Sequence, residues 1–583
     1  MVKALIDGIE VNAPAGSTIL EAARSVQVNI PTLCYHPDLC ATAACGICVV
    51  KLKNRPNMLR ACCTPLEEGM DITTRDPDLV RARRGVLQLI LSRHPNECLT
   101  CQRNGTCELQ KLAGEFGIER NSFPCIVDET LARDDSTGAV VLDPRKCIAC
   151  GRCVQVCQNV QNVWALCFLK RGINTVVSPA GRVKLAESPC IKCGQCSAHC
   201  PVGAITEFDQ TKEVWEKLAD PEAVCVVQVA PAVRVAIGEA FGGQPGDIDT
   251  GKLYAALRRL GFAKVFDTNF GADLTIMEEA HEFVARFANG TGALPLITSC
   301  CPAWVDFLEK YYPDMLGHFS SCKSPHEMLG VLAKTYWAEK NGVDPKKVYV
   351  VSIMPCTAKK YEVARNREDM FASGFQDVDV SLTTRELARM LKQAGIDFAD
   401  LPDEGADAML GEYSGAGTIF GRSGGVMEAA LRTAYHMITG QNLADVDIVA
   451  TQGTEGIRSF ELDVAGKKVR IGIAHGTGNV ETMLKNIKAA LDVGQEPPYH
   501  FVEVMACTGG CVGGGGQPRG VTGQVRKARA GGLNSDDKKS ANRLSHENAE
   551  IKRLYADYLG EPGGHKAHEL LHTEYTPRKP YQR

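Results

Sequence analysis

The sequence has no apolar stretch of the roughly 20 residues that a spanning helix needs. Its opening, Met1-Val2-Lys3-Ala4-Leu5-Ile6, leads into no secretion segment. A cytoplasmic protein without membrane insertion is the expectation. An excess of charge of one sign is also lacking: 65 Lys and Arg stand against 69 Asp and Glu, a net −4. Nothing in that balance demands nucleic acid or an anionic membrane. The run Gly513 to Gly516 lacks both the G-x-G-x-x-G pattern and the lysine of a phosphate loop, so nucleotide is not expected as a cofactor. Close backbone approach to a metal cluster explains those glycines better.

Cysteine is abundant, 26 in 583 residues. A chain this long buries several cores without staples, and a reducing compartment argues against disulfides. The spacings argue for metal. Cys147, Cys150, Cys153 and Cys157 form a C-x2-C-x2-C-x3-C run, and Cys190, Cys193, Cys196 and Cys200, followed by Pro201, repeat it. Thiolates at this spacing hold [4Fe–4S] cubanes, and in two-cluster proteins the fourth cysteine of each run ligates the other cluster. Cys147, Cys150, Cys153 and Cys200 are therefore assigned to one cubane, and Cys190, Cys193, Cys196 and Cys157 to the second. Cys125, Cys167 and Cys225 have no partner spacing and read as buried small hydrophobes.

Residues 1–78 combine short alternating runs (Val2 to Ile6, Ile9 to Val11, Val49 to Leu52) with a helical stretch, Thr18 to Val26. They predict a small α+β ferredoxin-like domain. Within it Cys34, Cys45, Cys48 and Cys62 resemble a plant-type [2Fe–2S] site with stretched gaps. Cys40 and Cys63 compete as ligands on spacing. The resemblance of Ala61-Cys62-Cys63-Thr64 to an A-C-x-T pattern favours Cys62 and leaves Cys40 and Cys63 as spare thiols. Residues 79–125 carry His94, Cys98, Cys101 and Cys107 as H-x3-C-x2-C-x5-C. Taken alone, one His with three Cys fits zinc as well as iron. The place between iron–sulfur sites favours iron, and the stretch resembles the His-ligated [4Fe–4S] site of respiratory complex I's large peripheral subunit and iron hydrogenases. Imidazole in place of a thiolate removes negative charge and should raise the potential. Residues 126–209 hold the two-cubane domain.

From 210 to 524, short apolar runs (Leu294 to Ile297, Val348 to Ile353, Phe501 to Val504) alternate with helical patterns such as Glu386 to Lys392. An α/β domain follows, with two lobes of mixed sheets flanked by helices. Each run ends at a cysteine loop, and ligand sites of α/β sheets gather at the carboxyl ends of strands. Cys300 and Cys301, Cys356, and Cys507 with Cys511 are therefore expected to converge.

Thr298-Ser299-Cys300-Cys301-Pro302-Ala303-Trp304, Met354-Pro355-Cys356-Thr357-Ala358-Lys359-Lys360-Tyr361-Glu362 and Glu503-Val504-Met505-Ala506-Cys507-Thr508-Gly509-Gly510-Cys511 resemble the three signature loops of [FeFe]-hydrogenases. The order of upstream sites resembles the large clostridial-type members with four accessory clusters. The resemblance implies that Cys301, Cys356, Cys507 and Cys511 hold a [4Fe–4S] cubane, with Cys511 bridging to a two-iron unit carrying CO, cyanide and a dithiolate. Together these form the H-cluster, served by one [2Fe–2S] and three accessory [4Fe–4S] clusters. Cys300, the extra thiol of its loop, is the expected proximal proton donor, since a thiol near its ordinary pKa both gives and takes protons. Glu279, Glu282 and Arg286 share one face of a helix. By spacing alone they are a solvated face; the resemblance makes them a proton path, with Ser320 between the carboxylates. It also implies that Lys359, paired with Glu362, donates to a cyanide ligand, that Met354 and Met505 pack on the two-iron unit, and that Ala230, Pro231 and Ala232 line the same pocket.

Two positions depart from the family: His326 stands where Gln is common, adding a titratable group, and Cys322 is unmatched. Residues 525–583 resemble a small-subunit segment, here fused as a docking tail. The activity so implied is reversible interconversion of dihydrogen with two protons and two electrons, exchanged with ferredoxin or NAD(P)-linked partner subunits after maturation proteins install the two-iron unit. A hydrogen sensor or iron–sulfur scaffold would keep the cubane ligands but usually lose the proton path, whose residues are all present. A complex I-like electron carrier would lack the three downstream loops.

Overall fold

In the computed structural model, which describes residues 1–365 and 368–581, the N-terminal strands Val2–Ile6 and Ile9–Ala13 pair antiparallel across an Asp7-Gly8 turn. Both turn residues take positive φ, 51° and 82°, the geometry that matches strand twist in a two-residue hairpin. Asp71–Thr73, Val49–Leu52 and Leu59–Arg60 complete a five-stranded sheet. Helix Ile19–Ser25 packs on it, started by a reciprocal capping box between Thr18 and Glu21.

Two four-stranded sheets build the larger part of the chain. One runs Lys264–Asp267, Val224–Val229, Val348–Met354, Val380–Thr383 and is parallel throughout. Val226 and Val350 face one core, Val227, Val229, Val351 and Ile353 the other. Burial on both faces is why these strands read as unbroken apolar runs. The other sheet runs Leu296–Ile297, Phe501–Met505, Lys467–His475, Ile457–Val464, with only the last pair antiparallel. The mixed pairing expected of both lobes is thus confined to this one. Its first strand starts at Leu296, not Leu294, because Pro295 has no N–H to give a ladder. Helix Thr268–Asn289 packs against helices Pro325–Leu332 and Gly425–Thr439. Thr384–Gln393 is the predicted helix, capped by Thr383 and Glu386.

The tail is docked, not loose. Ile551, Leu554, Leu570 and Leu571 are buried in the core that covers the parallel sheet. Beyond helix His565–Leu571 the backbone pairs with the segment after Phe319: Lys323 N donates to Leu571 O at 2.8 Å and Thr573 N to Ser321 O at 2.7 Å. His572 bridges the Ser321 hydroxyl (2.8 Å) and buried Glu278 (3.0 Å).

Candidate active site

The thiols fall into groups. Cys34 hydrogen-bonds Cys45 and Cys62, and Cys62 hydrogen-bonds Cys48. Cys40 and Cys63 are exposed and outside this set. Cys147, Cys150, Cys153 and Cys200 line one cavity, so the cross-over of the fourth cysteine is present in space. Cys157 lies with Cys190 and Cys196. His94, Cys98, Cys101 and Cys107 line a further cavity. There His94 Nδ1 donates to the Pro95 carbonyl at 3.0 Å, while Nε2 is buried with no hydrogen-bond partner among the described residues. Burial lowers the pKa of this ring. A neutral imidazole fixed through Nδ1, with a free lone pair on Nε2, is the form a metal ligand takes.

Two of these groups dock on the same third. Thr42 Oγ1 donates to the Cys150 carbonyl at 3.2 Å, and Arg103 donates to the Cys200 carbonyl at 2.9 Å. The Cys190 run in turn abuts the catalytic loops: Thr357 Oγ1 donates to Lys192 O at 2.7 Å and Gln195 to Gly513 O at 2.9 Å. Both upstream groups therefore touch the Cys147 set.

At the carboxyl ends of strands from both sheets lies a cavity. Cys301, Cys356, Cys507 and Cys511 all reach it, as do Cys300, Lys359 and His326. Ala230, Pro231, Ala232, Met354 and Met505 form much of its apolar wall. Thr268, Ala272 and Phe420 also line it; small or apolar residues without a motif, they leave no signal in sequence. Burial raises the Cys356 thiol to about 12 and pushes Cys301, Cys507 and Cys511 upward as well. Binding a metal here must therefore release protons.

The glycine run packs loop on loop. A Cβ on Gly516 would sit 3.0 Å from Cys356 N, and one on Gly515 would strike the Cys193 carbonyl. These glycines admit neighbouring cysteine-loop backbone, and Gly514 also lines the cavity. Gly510 needs its φ of +91°, and a Cβ there would meet Met505 Sδ at 2.7 Å.

Helix Thr268–Asn289 leads away from the cavity. Glu279 is buried, with Oε2 unpartnered among the described residues. Burial, with Glu282 adding to it, pushes its carboxyl up to about 8. Ser320 Oγ lies beside Glu279 and donates to Glu282 Oε2 at 2.9 Å. Glu282 accepts from Arg286 Nη2 at 2.6 Å, and both are half-buried at the surface. The four expected groups form one row from interior to solvent. Cys300 differs from expectation in one respect: burial raises its thiol well above the ordinary value, with Glu279 adding to the shift, so it rests protonated.

Lys359 Nζ donates to Glu362 Oε2 at 2.7 Å and to the Cys300 carbonyl at 3.3 Å. An ammonium has three donors, which leaves one for the cavity. Burial alone would lower this lysine, but Glu362 outweighs it and the net shift is upward. Glu362 pairs with Lys359, as the resemblance implied. It stands behind Lys359 and His326, since a side chain three residues on shares the helix face but cannot match a lysine's reach. Of the three unpartnered cysteines, Cys225 is buried and Cys167 half-buried, but Cys125 is exposed, its Sγ near the His94 carbonyl.

Residues 223–515 match the family described as iron only hydrogenase large subunit, C-terminal domain, and residues 523–578 the iron hydrogenase small subunit. Upstream, 1–77 match a 2Fe-2S iron-sulfur cluster binding domain, 83–122 the NADH-ubiquinone oxidoreductase-G iron-sulfur binding region, and 140–160 with 184–206 a 4Fe-4S binding domain. The chain is 46% identical to NADP-reducing hydrogenase subunit HndD of Solidesulfovibrio fructosivorans, over 99% of both chains. It is 39% identical to Iron hydrogenase 1 of Clostridium pasteurianum, over 98% of this chain and 99% of that one. A variant of apo [FeFe]-hydrogenase HydA1 from Chlamydomonas reinhardtii superposes with a TM-score of 0.56 at 42% identity, covering 64% of this chain and 100% of that one. No helix among the described residues is long and apolar enough to cross a membrane. The chain belongs to the iron-only hydrogenases, as an oxidoreductase that carries 2Fe–2S and 4Fe–4S domains ahead of its hydrogenase domain.

Proposed function

We propose that the chain interconverts dihydrogen with two protons and two electrons at an H-cluster held by Cys301, Cys356, Cys507 and Cys511, with Cys511 as the bridge to the two-iron unit. The observation that carries this reading is the single cavity into which four thiols from three distant loops project, beside a fifth thiol and an ammonium. When bound, the two-iron unit with its CO, cyanide and dithiolate supplies the redox chemistry of the H–H bond; the protein supplies placement and electrostatics. The spare Lys359 donor suits an anionic ligand such as cyanide. Met354, Met505 and the Ala230-Pro231-Ala232 wall shape a dry pocket. Cys300 gives and takes the proton nearest the reaction, and Glu279, Ser320, Glu282 and Arg286 exchange it with solvent. The Glu279 value near 8 suits that role, because a relay group works best with a pKa close to the working pH.

Cys34, Cys45, Cys48 and Cys62 would hold one [2Fe–2S] cluster, and the His94 set and the two cysteine runs would hold three [4Fe–4S] clusters, which would supply the electron path. Cys147, Cys150, Cys153 and Cys200 would hold the cubane nearest both upstream sites, since Thr42 and Arg103 reach this set from the two upstream segments. The full-length likeness to a subunit named for NADP reduction supports NAD(P)-linked partner subunits, with ferredoxin the other acceptor class. Maturation proteins would install the two-iron unit.

The deciding experiment is hydrogen evolution from reduced viologen by anaerobically purified protein, with occupancy of the two-iron unit confirmed by its CO and cyanide infrared bands. Evolution is expected; none at full occupancy would overturn the reading. A second expectation concerns the His94 site. His94→Cys should keep its cluster but titrate at a lower potential, and His94→Ala should lose the cluster, both read by redox-poised electron paramagnetic resonance. An unchanged potential in His94→Cys would remove Nε2 from the ligand set.

A further inference from the structure

His326 faces the cavity from the first turn of helix Pro325–Leu332 and has no part in the proton path. Both ring nitrogens are engaged. Nε2 lies 2.7 Å from Glu362 Oε2, and Nδ1 lies 3.1 Å from the Ser352 hydroxyl. The same Glu362 oxygen accepts from Lys359 Nζ at 2.7 Å. One carboxylate oxygen therefore joins the imidazole to the ammonium that points into the cavity.

Ser352 makes the arrangement tolerant of a proton. Its hydroxyl donates to a bare Nδ1 or accepts from a protonated one, while Nε2–H stays on Glu362 in both states. The charge of the network can change by one with no heavy atom displaced. Glu327 from the ring's own helix lies 3.3 Å from Nε2. Lys359 and Glu362 face it from helix Ala358–Val363. Strand Val348–Met354 offers only the neutral Ser352, and Gln228 from Val224–Val229 binds the His326 carbonyl at 2.8 Å. Burial and Lys359 favour the neutral ring, Glu327 and Glu362 the cation, and the balance favours the cation.

We propose that His326 is a positioning residue for Lys359, acting through Glu362, and that a proton on its ring frees Lys359 to bond more strongly to an anionic group in the cavity. An imidazolium draws Glu362 more strongly than a neutral ring does, so the shared oxygen holds Lys359 less tightly. This rests on the H-cluster reading, which supplies the anionic group.

The test is an infrared pH titration of the cyanide bands, from about pH 5 to 9, in loaded parent, His326→Gln and Ser352→Ala. The parent should show a one-proton shift with its midpoint above 6.5, the ordinary histidine value. His326→Gln keeps a donor for Glu362 but cannot take up a proton, and the shift should vanish. Ser352→Ala removes the acceptor for Nδ1–H, and the midpoint should move to lower pH. Bands that do not move in the parent, or a shift that survives in His326→Gln, would overturn the proposal. Loaded parent with no CO or cyanide bands would instead overturn the H-cluster reading beneath it.

Discussion

Replacing Cys300 with Ala should lower hydrogen evolution by about a thousandfold, in the range for loss of a positioned proton donor, while iron content and accessory-cluster spectra stay as in the parent. The substitution is unusually clean here. Lys359 bonds the Cys300 backbone carbonyl, not its thiol, at 3.3 Å, so Ala keeps that contact and removes only the proton carrier. Glu279 does not line the cavity, so it does not take the place of the lost thiol there. A loss smaller than tenfold would assign the proton step elsewhere.

For Glu279→Gln the expected loss is a hundredfold or more, accompanied by a stability signature of opposite sense. The native carboxyl keeps its proton up to about 8, whereas an unfolded chain releases it near 4.5. Across that window the native state binds more protons, so this residue makes stability fall as pH rises. The contribution is present in full below 4.5 and lost as pH rises through 8, the loss amounting to roughly 3 kcal/mol by pH 7. Gln has no such dependence. Apparent Tm of the variant should therefore fall less than that of the parent between pH 5 and pH 8, even as turnover collapses. Turnover that persists in the variant would take Glu279 out of the relay.

The cluster groupings were legible because iron–sulfur ligation is written in local spacing, and the C-x2-C-x2-C-x3-C runs state even the exchange of Cys157 and Cys200. The row of Glu279, Ser320, Glu282 and Arg286 was half legible: helix periodicity put Glu279, Glu282 and Arg286 on one face, but Ser320 came only from family resemblance. What stayed hidden is tertiary. Thr42 on Cys150 and Arg103 on Cys200 join residues 108 and 97 positions apart, and no pattern in either segment announces these contacts. The Lys359–Glu362 pair was legible from spacing, whereas the place of Glu362 behind the cavity wall was not, because spacing reports direction on a helix and not reach. His326 could be seen as a departure, yet its partners Ser352 and Glu362 are 26 and 36 residues away.

The pairing of Ser321 and Lys323 with Thr573 and Leu571 makes the segment that carries Ser320 a seam between two distant stretches of chain. Suppose a protease cut at the exposed Ala541, between helices Gly523–Lys539 and Ala549–Leu554. All the cavity thiols and every accessory site would remain on one fragment, with colour and iron content unchanged. Only mass action would then keep the seam closed. The specific activity of such a nicked protein should decline on dilution and return on concentration, as that of a two-component complex does.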